Sequence, residues 1–501
     1  MLRLRYNRLI MTVLTALLLA GCVAVTDGYE EELVPEVSHS YVNLTIAVTN
    51  NGAVTRGTPL GGEEGNGREA GFDRENTITG ITLILYQDAN GINTASNPVI
   101  DFVAFYPVTR TTKDANARIE ATYETGNQLV PHNTIDFTKT YRAIVVANAN
   151  LTSSITAGSS HLNDLRDMTL NTIYNGDETK AAAACNNFVM SSEQDQTLTF
   201  SGNSTRDAAG DYYYNLTNQP LVIERLAARI DFWAVNGTYD DGTANSSKAG
   251  YIYDVEGGDQ FVVTAVMPFN LTNKHTASDP ADAYGNEYLL KRLTPALSTV
   301  TPQWLADETT TNYVLDPKTL DKVTSSARLL MNSLESVKDL TVSTFATNSY
   351  CKKVSDMHAA VASSGTTSGF TMLTDMEKSG ENVIVAYPME NTLLPESPLY
   401  YYATGIALEG WYYEGGITHD INPQRYVYYG YLRHQGEGSS YDITTTNSTE
   451  ALSDQETAMN IGIVRNNIYR VMIGSIDSKR NMTLRIVVKQ WDTFTHKVIY
   501  M

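Results

Sequence analysis

The sequence predicts a mainly β protein of antiparallel sandwiches with a few short helices, and three observations carry that prediction. The chain has 31 tyrosines against 12 phenylalanines. Tyrosine, with threonine and valine, favours half-buried strands in which a ring packs inward and its hydroxyl meets water. Short runs of strict apolar–polar alternation recur, separated by turn residues. The periods of coiled coils and collagen, and the apolar 20-mers of a multi-pass membrane protein, are missing. With 501 residues, 42% of them hydrophobic, the chain can bury a core and has the length of two or three domains of roughly 150 residues each. A formal charge of −20 repels phosphate, so nucleic acid is not expected as a partner.

The first 22 residues divide into the three parts of an export signal. Arg3, Arg5 and Arg8 precede an apolar run from Leu9 to Leu19, which ends in Leu19-Ala20-Gly21-Cys22. The run is too short for a stable membrane span. Small residues followed at once by cysteine resemble the bacterial lipoprotein signal, in which that cysteine is acylated and becomes the new N-terminus. Cys22 is therefore the expected lipidation site, holding the exported chain at a membrane by lipid. Cys185 and Cys351 remain, and their separation in sequence says nothing about pairing.

An acidic stretch, Asp27 to Glu36, leads to Tyr41–Thr49, where Val42, Leu44, Ile46 and Val48 share one face of an alternating strand. Glycine-rich sequence follows, dotted with Arg56, Arg68 and Arg74 and without apolar pattern, the kind of segment where proteolysis concentrates. The body begins near Ile78. Strands are expected at Thr79–Tyr86, Tyr141–Asn148 and Gln260–Val266, with an apolar block at Leu221–Trp233 that opens a second unit. Helical pieces are expected at Ser160–Met168 and Glu178–Asn186. A longer helix, capped by Asp316 and Pro317, runs on through Leu334. From Asn382 onward strands crowd together at Val383–Ala386, Leu399–Leu408, Tyr426–Arg433, Ile468–Ile473 and Met482–Val488, the spacing of an antiparallel sandwich.

Catalytic signatures are missing. There is no G-x-S-x-G, H-E-x-x-H or phosphate loop, and the eight histidines are scattered without helical metal-ligand spacing. No enzyme activity, metal or cofactor is expected. Asp88-Ala89-Asn90-Gly91 and Asp240-Asp241-Gly242 read as turns rather than Ca²⁺ loops. Tyr400-Tyr401-Tyr402 and Trp411-Tyr412-Tyr413 could stack on sugar rings, but aromatics in alternating strands are more often core and surface.

The two ends make one mechanism. The C-terminal sequence alternates with Leu484, Ile486 and Val488 on one face, then again through Phe494, His496, Val498 and Tyr500. If the leading strand completes a sandwich and is cut away, it leaves unpaired backbone and apolar surface that templates a strand from another molecule. Groove and strand lie on different surfaces, so the contact propagates rather than closes.

Here the residues resemble a known family. Val464-Arg465-Asn466-Asn467-Ile468-Tyr469, the terminal Val487-Val488-Lys489-Gln490-Trp491 and the mid-chain Ile223-Glu224-Arg225-Leu226-Ala227-Ala228-Arg229 are similar to segments of the fimbrillins of Bacteroidales, the shaft subunits of protease-matured (type V) pili, and nearest to their minor-fimbrium branch. The resemblance implies two transthyretin-like β-sandwich domains, export as an outer-membrane lipoprotein, and removal of an N-terminal segment by an arginine-specific protease. It also implies assembly with copies of itself and with accessory or tip subunits in a surface fimbrium that supports adhesion or biofilm formation. Carried onto this chain, 1–22 is the signal and 23–56 a propeptide whose strand fills a groove. The two domains are then 57–220 and 221–480, with 481–501 as the donor segment. Cleavage falls between Arg56 and Gly57, because Arg68 and Arg74 are each followed by glutamate. The donor side chains are Leu484, Ile486, Val488, Phe494, Val498 and Tyr500. The competing reading is a tip adhesin or glycan-binding lipoprotein that does not polymerise and uses Trp411 and Tyr413.

Overall fold

The computed structural model describes residues 39–48, 68–70, 73–87, 97–115, 118–131, 134–166, 168–170, 173–176, 185–192, 196–234, 237–243, 248–271, 287–288, 332, 337, 340–356, 358, 370–372, 381–390, 403–434, 440–446, 463–477, 479, 481–492 and 495–496. Its strands are β1 (Ser40–Val48), β2 (Arg68–Ala70), β3 (Gly80–Tyr86), β4 (Ile100–Pro107), β5 (Thr109–Ala115), β6 (Arg118–Glu124), β7 (Gln128–Val130), β8 (Thr140–Ala147), β9 (Thr169–Leu170), β10 (Met190–Ser191), β11 (Gln196–Thr199), β12 (Ser204–Arg206) and β13 (Tyr212–Arg225) in the first half. The second half adds β14 (Arg229–Trp233), β15 (Thr238–Asp240), β16 (Gly250–Asp254), β17 (Gln260–Phe269), β18 (Glu287–Tyr288), β19 (Lys352–Lys353), β20 (Phe370–Met372), β21 (Glu381–Ala386), β22 (Gly405–Tyr413), β23 (Gln424–Tyr431), β24 (Ser440–Thr446), β25 (Asn467–Ile476), β26 (Asn481–Asp492) and β27 (Thr495–His496). Short helices α1 (Asp73–Asn76), α2 (Leu162–Arg166) and α3 (Val342–Thr347) interrupt them. The protein is mainly β, as its composition predicts.

Two large sheets hold nearly all of these strands. The first runs β27-β6-β1-β13-β10-β8-β3-β4, with β5, β7, β11 and β12 attached. The second runs β15-β16-β17-β22-β23-β24-β26-β25-β14-β21-β20, with β2 and β19 attached. Pairing is antiparallel except at β1–β13, β14–β25 and β2–β26. Buried aliphatic residues of β3 and β8, such as Leu83, Leu85, Ile144 and Val146, build the first core with Val42, Leu44 and Ile46. The second core gathers Phe232, Phe261, Leu408, Tyr428, Val471 and Leu484. Many of the tyrosines lie inside: Tyr428 meets Phe261 edge-on at 5.2 Å, and Tyr431 meets Phe269 at 5.4 Å. Opposite Phe269, Gly405 leaves room for that ring, since a Cβ there would sit 2.1 Å from it.

Two sequence expectations change. The apolar block Leu221–Trp233 is two strands rather than one segment. β13 ends the first sheet at Arg225, the chain turns through Leu226–Ala228, and β14 enters the second sheet at Arg229. The segment from Asn481 is also not a strand set apart from its domain. β26 lies inside the second sheet, paired with β24 on one side and β25 on the other, and Leu484, Ile486 and Val488 are fully buried in that core. Alternation identifies a buried face but not which sheet buries it. Of the expected helices, α2 falls within Ser160–Met168, whereas those at 178–186 and 316–334 lie outside the described residues apart from 185, 186 and 332.

Candidate functional site

β1 is an interior strand of the first sheet although it precedes everything else in it. On one side it runs parallel to β13, from Ser40 opposite Tyr212 to Val48 opposite Ile223. On the other it is antiparallel to β7 (Tyr41 opposite Leu129) and then to β6 (Ile46 opposite Tyr123). The turn between those partners is tied to it, because Leu44 N–H donates to Thr125 Oγ1 at 3.0 Å and Thr125 N–H to Leu44 O at 3.1 Å. Val42 is 2% exposed, and Leu44 and Ile46 are fully buried. On the other face Tyr41 stacks on Tyr213 at 4.9 Å. At about 1.5–3 kcal/mol per fully buried aliphatic side chain, these three contribute on the order of 5–9 kcal/mol gross. Leu44→Ala is accordingly expected to destabilise the chain by about 2–5 kcal/mol in urea unfolding.

The C-terminal strand adjoins the same place. β5 holds one edge of β6 along its whole length, so β1 and β27 share the other. Ala47 lies opposite Thr122, and Thr495 lies opposite Ile119, three positions further along. Both run antiparallel to β6, so the tail continues the path that β1 leaves. Phe494, Val498 and Tyr500 lie outside the described residues, as do Cys22, Arg56 and Gly57.

The other two arginines after β1 are held in structure. Arg68 lies in β2, paired with β26 opposite Gln490. Arg74 lies in α1, and the next residue, Glu75, is fully buried. Arg68 is thus in a paired strand and Arg74 in a helical turn beside a buried carboxylate.

The three motifs that carry the family resemblance converge where the sheets meet. Arg225, at the end of β13, is fully buried and donates to Asn466 Oδ1 (3.1 Å), to the carbonyl oxygens of Trp491 (2.8 Å) and Glu75 (3.2 Å), and to Asn76 Oδ1. Its guanidinium also lies 4.5 Å from the Trp491 ring. Asn466 has φ +56°, a left-handed conformation that asparagine tolerates. This aims its N–H at Ala227 O (2.8 Å), while its carbonyl accepts from Trp491 N–H at 3.0 Å. Arg229 pairs with Asp231 at 2.6 Å and with Glu75 at 3.2 Å. Tyr387 donates to Glu75 as well, and burial together with that carboxylate pushes its hydroxyl well above the ordinary tyrosine range, so it stays a donor. Arg465 closes on Glu390 at 2.6 Å, and Tyr469 Oη accepts from Val464 N–H at 2.8 Å. Asn467 donates to Arg465 O at 2.8 Å, and Ile468 is buried in the first core's cluster although it belongs to β25. α1 and Glu75 were missed by sequence reasoning, since a short polar run beside arginines looks like linker.

The aromatic run weakens as a sugar platform. Tyr412 and Tyr413 are 3% and 1% exposed, which leaves Trp411, half-buried with Lys248 Nζ 4.6 Å from its ring centroid. Tyr400-Tyr401-Tyr402 lies outside the described residues. Cys185 is buried, and burial pushes the half-buried Cys351 thiol up to about 12. Among the described residues no group of three His, Cys, Asp or Glu side chains is placed to hold a metal.

No family model and no curated protein matches the chain. Among solved structures it is similar to a candidate cell adhesion protein from Parabacteroides distasonis, at 13% identity and a TM-score of 0.40 over 91% of this chain and 98% of that one. The tip fimbrial protein Mfa3 from Porphyromonas gingivalis gives 9% identity and 0.35 over 90% and 100%. The fimbrilin FimA from the same species gives 14% identity and 0.34 over 91% and 98%. The chain is thus similar to fimbrial and candidate adhesion proteins of Bacteroidales, at a level that says nothing by itself about what it does.

Proposed function

We propose that the chain is a structural subunit of a cell-surface pilus, exported as a lipoprotein through Cys22, cut between Arg56 and Gly57, and polymerised by strand exchange. The observation that carries this reading is the position of β1. Removal of a strand buried between two partners, and separated from the body by glycine-rich sequence with an arginine, would open a slot inside a finished sheet. The slot would take a strand from a neighbouring copy, by the backbone pairing that lets a strand join an unpaired edge. β6, which borders the slot, already pairs with the tail of this chain at Thr495 and His496, so the tail after Asp492 is the donor we assign. Val42, Leu44, Ile46 and Val48 are the residues the donor replaces. Leu484, Ile486 and Val488 stay at home in the second core. The neighbours in the fibre are further copies and accessory or tip subunits, and the maturing enzyme is an arginine-specific protease.

Two truncations separate the parts. Removing 493–501 is expected to leave both sheets folded, by circular dichroism and melting, and to abolish the ladder of multimers seen on gels after arginine-specific digestion. Removing 482–501 also deletes β26 and is expected to unfold the second sheet. A ladder that survives loss of 493–501 would rule out the tail as donor.

A further inference from the structure

We infer that β1 is an imperfect occupant of its own slot, and that the slot is shaped for a strand with an apolar side chain where β1 carries Thr45. The inference rests on the strand-exchange reading for its biological sense, though its physical content lies in the uncut chain. Pairing with β13 breaks at this point: Leu44 lies opposite Leu216 and Ile46 opposite Leu221, so β13 bulges through Thr217–Pro220 while β1 advances by Thr45 alone. Three successive β1 residues are buried as a result, Leu44 and Ile46 fully and Thr45 at 3% exposure. Strict alternation would place a polar residue outward at the middle position, and the sequence of β1 supplies one. The fold buries it instead. Thr45 Oγ1 has no hydrogen-bond partner among the described residues, and neither has Asn43 Oδ1 two positions earlier.

A buried hydroxyl without a partner is a cost the precursor carries. Thr82 in β3 is the internal contrast. It is also fully buried, but its hydroxyl donates to Ala149 O at 2.6 Å and accepts from Leu151 N–H at 3.1 Å. A strand apolar at three successive positions would fill the Leu44–Ile46 stretch without that cost. In this sequence the tail of a second copy offers such a run, Val498-Ile499-Tyr500-Met501, where alternation gives way to continuous apolar residues. Escaping that cost favours replacement of β1 once the covalent tether is cut.

The test is Thr45→Val, which exchanges the hydroxyl for a methyl at nearly constant shape. In the uncut chain its melting temperature is expected to rise by about 2–4 °C, while Thr45→Ser gives no rise and Thr82→Val gives a fall. After arginine-specific cleavage, release of the β1 peptide, followed by mass spectrometry, is expected to slow roughly tenfold in Thr45→Val. Ile499→Thr should lower multimer yield from the cut chain, whereas Ile499→Val should not. An unchanged or lower melting temperature in Thr45→Val overturns the inference, as does release of its β1 peptide at the wild-type rate. If the cut wild-type chain never forms multimers, the strand-exchange reading fails instead, and the melting comparison still decides whether β1 is a poor fit.

Discussion

Arg56→Ala is expected to remain monomeric under arginine-specific digestion that converts the wild-type chain into a ladder of multimers. The argument is one of effective concentration. While the chain is intact, β1 is tethered to the sheet it completes, and a covalent tether can hold such an element at an effective concentration on the order of millimolar. A neighbour's strand at micromolar concentration would have to fit better by about 4 kcal/mol to compete with that. Cutting after Arg56 leaves β1 bound only by its own contacts, chiefly the burial of Val42, Leu44 and Ile46 and its ladders to β13, β6 and β7. Once released it is diluted, whereas strands on other subunits remain. Suppression by at least a hundredfold in multimer yield is expected, on the order of the ratio between the two concentrations. N-terminal sequencing of the wild-type product should begin at Gly57. Inserting the recognition site of an unrelated protease at 56 should restore assembly of the variant with that protease alone. Multimers of Arg56→Ala at the wild-type level, or a mature N-terminus at Glu69 or Glu75, would refute the proposed cut.

The structure adds a reason for the proposed cut to fall upstream of β2 and α1. β2 pairs with β26, and α1 delivers Glu75 and Asn76 into the junction between the sheets. Cleavage at Arg68 or Arg74 would strip part of that junction along with β1. Only a cut before β2 removes the slot-filling strand and spares the body.

How far the sequence could be read follows from the range of each signal. Alternation is local, so Ser40–Val48 and the apolar face of Asn481–Asp492 are legible within ten residues. Sheet membership is not local. Nothing in Leu484, Ile486 and Val488 says that β24 and β25 flank them, and a strand that looks free to leave is held on both edges. The same limit hides the change of sheet at Leu226–Ala228, because three apolar residues between two strands look like more strand. The burial of Thr45 runs against its own pattern, since it depends on a bulge in β13 more than a hundred residues away. The junction was legible only as short motifs. Their physical content, a positive φ at Asn466 and a guanidinium shared among distant carbonyls, appears only when the ends of β13, β25 and β26 are brought together.

That junction gives the other large effect. Arg225→Met keeps much of the side chain's stem against the Trp491 ring but removes every donor, leaving Asn466 Oδ1, Asn76 Oδ1 and the carbonyl oxygens of Glu75 and Trp491 to find other partners in a buried site. Losing the charged member of such a buried network costs on the order of 3–5 kcal/mol. Because Arg225 ends β13 of the first sheet, and its acceptors lie at Asn466, just before β25, and at Trp491 in β26 of the second, the loss should fall on the coupling between sheets as well as on either one. Calorimetry is expected to show a lower melting temperature and a broadened or divided transition where the wild-type chain unfolds more cooperatively. Asn466→Ala should act in the same direction, losing the acceptor and placing a Cβ residue at φ +56°. Asn466→Gly should suffer only the first of these and so cost less. If Arg225→Met melts like the wild-type chain, the motifs at 223–229 and 464–469 do not hold the sheets together and their shared position in space has no energetic content. If it melts lower but still assembles after cleavage, the junction serves stability alone, and the strand slot works within the first sheet by itself.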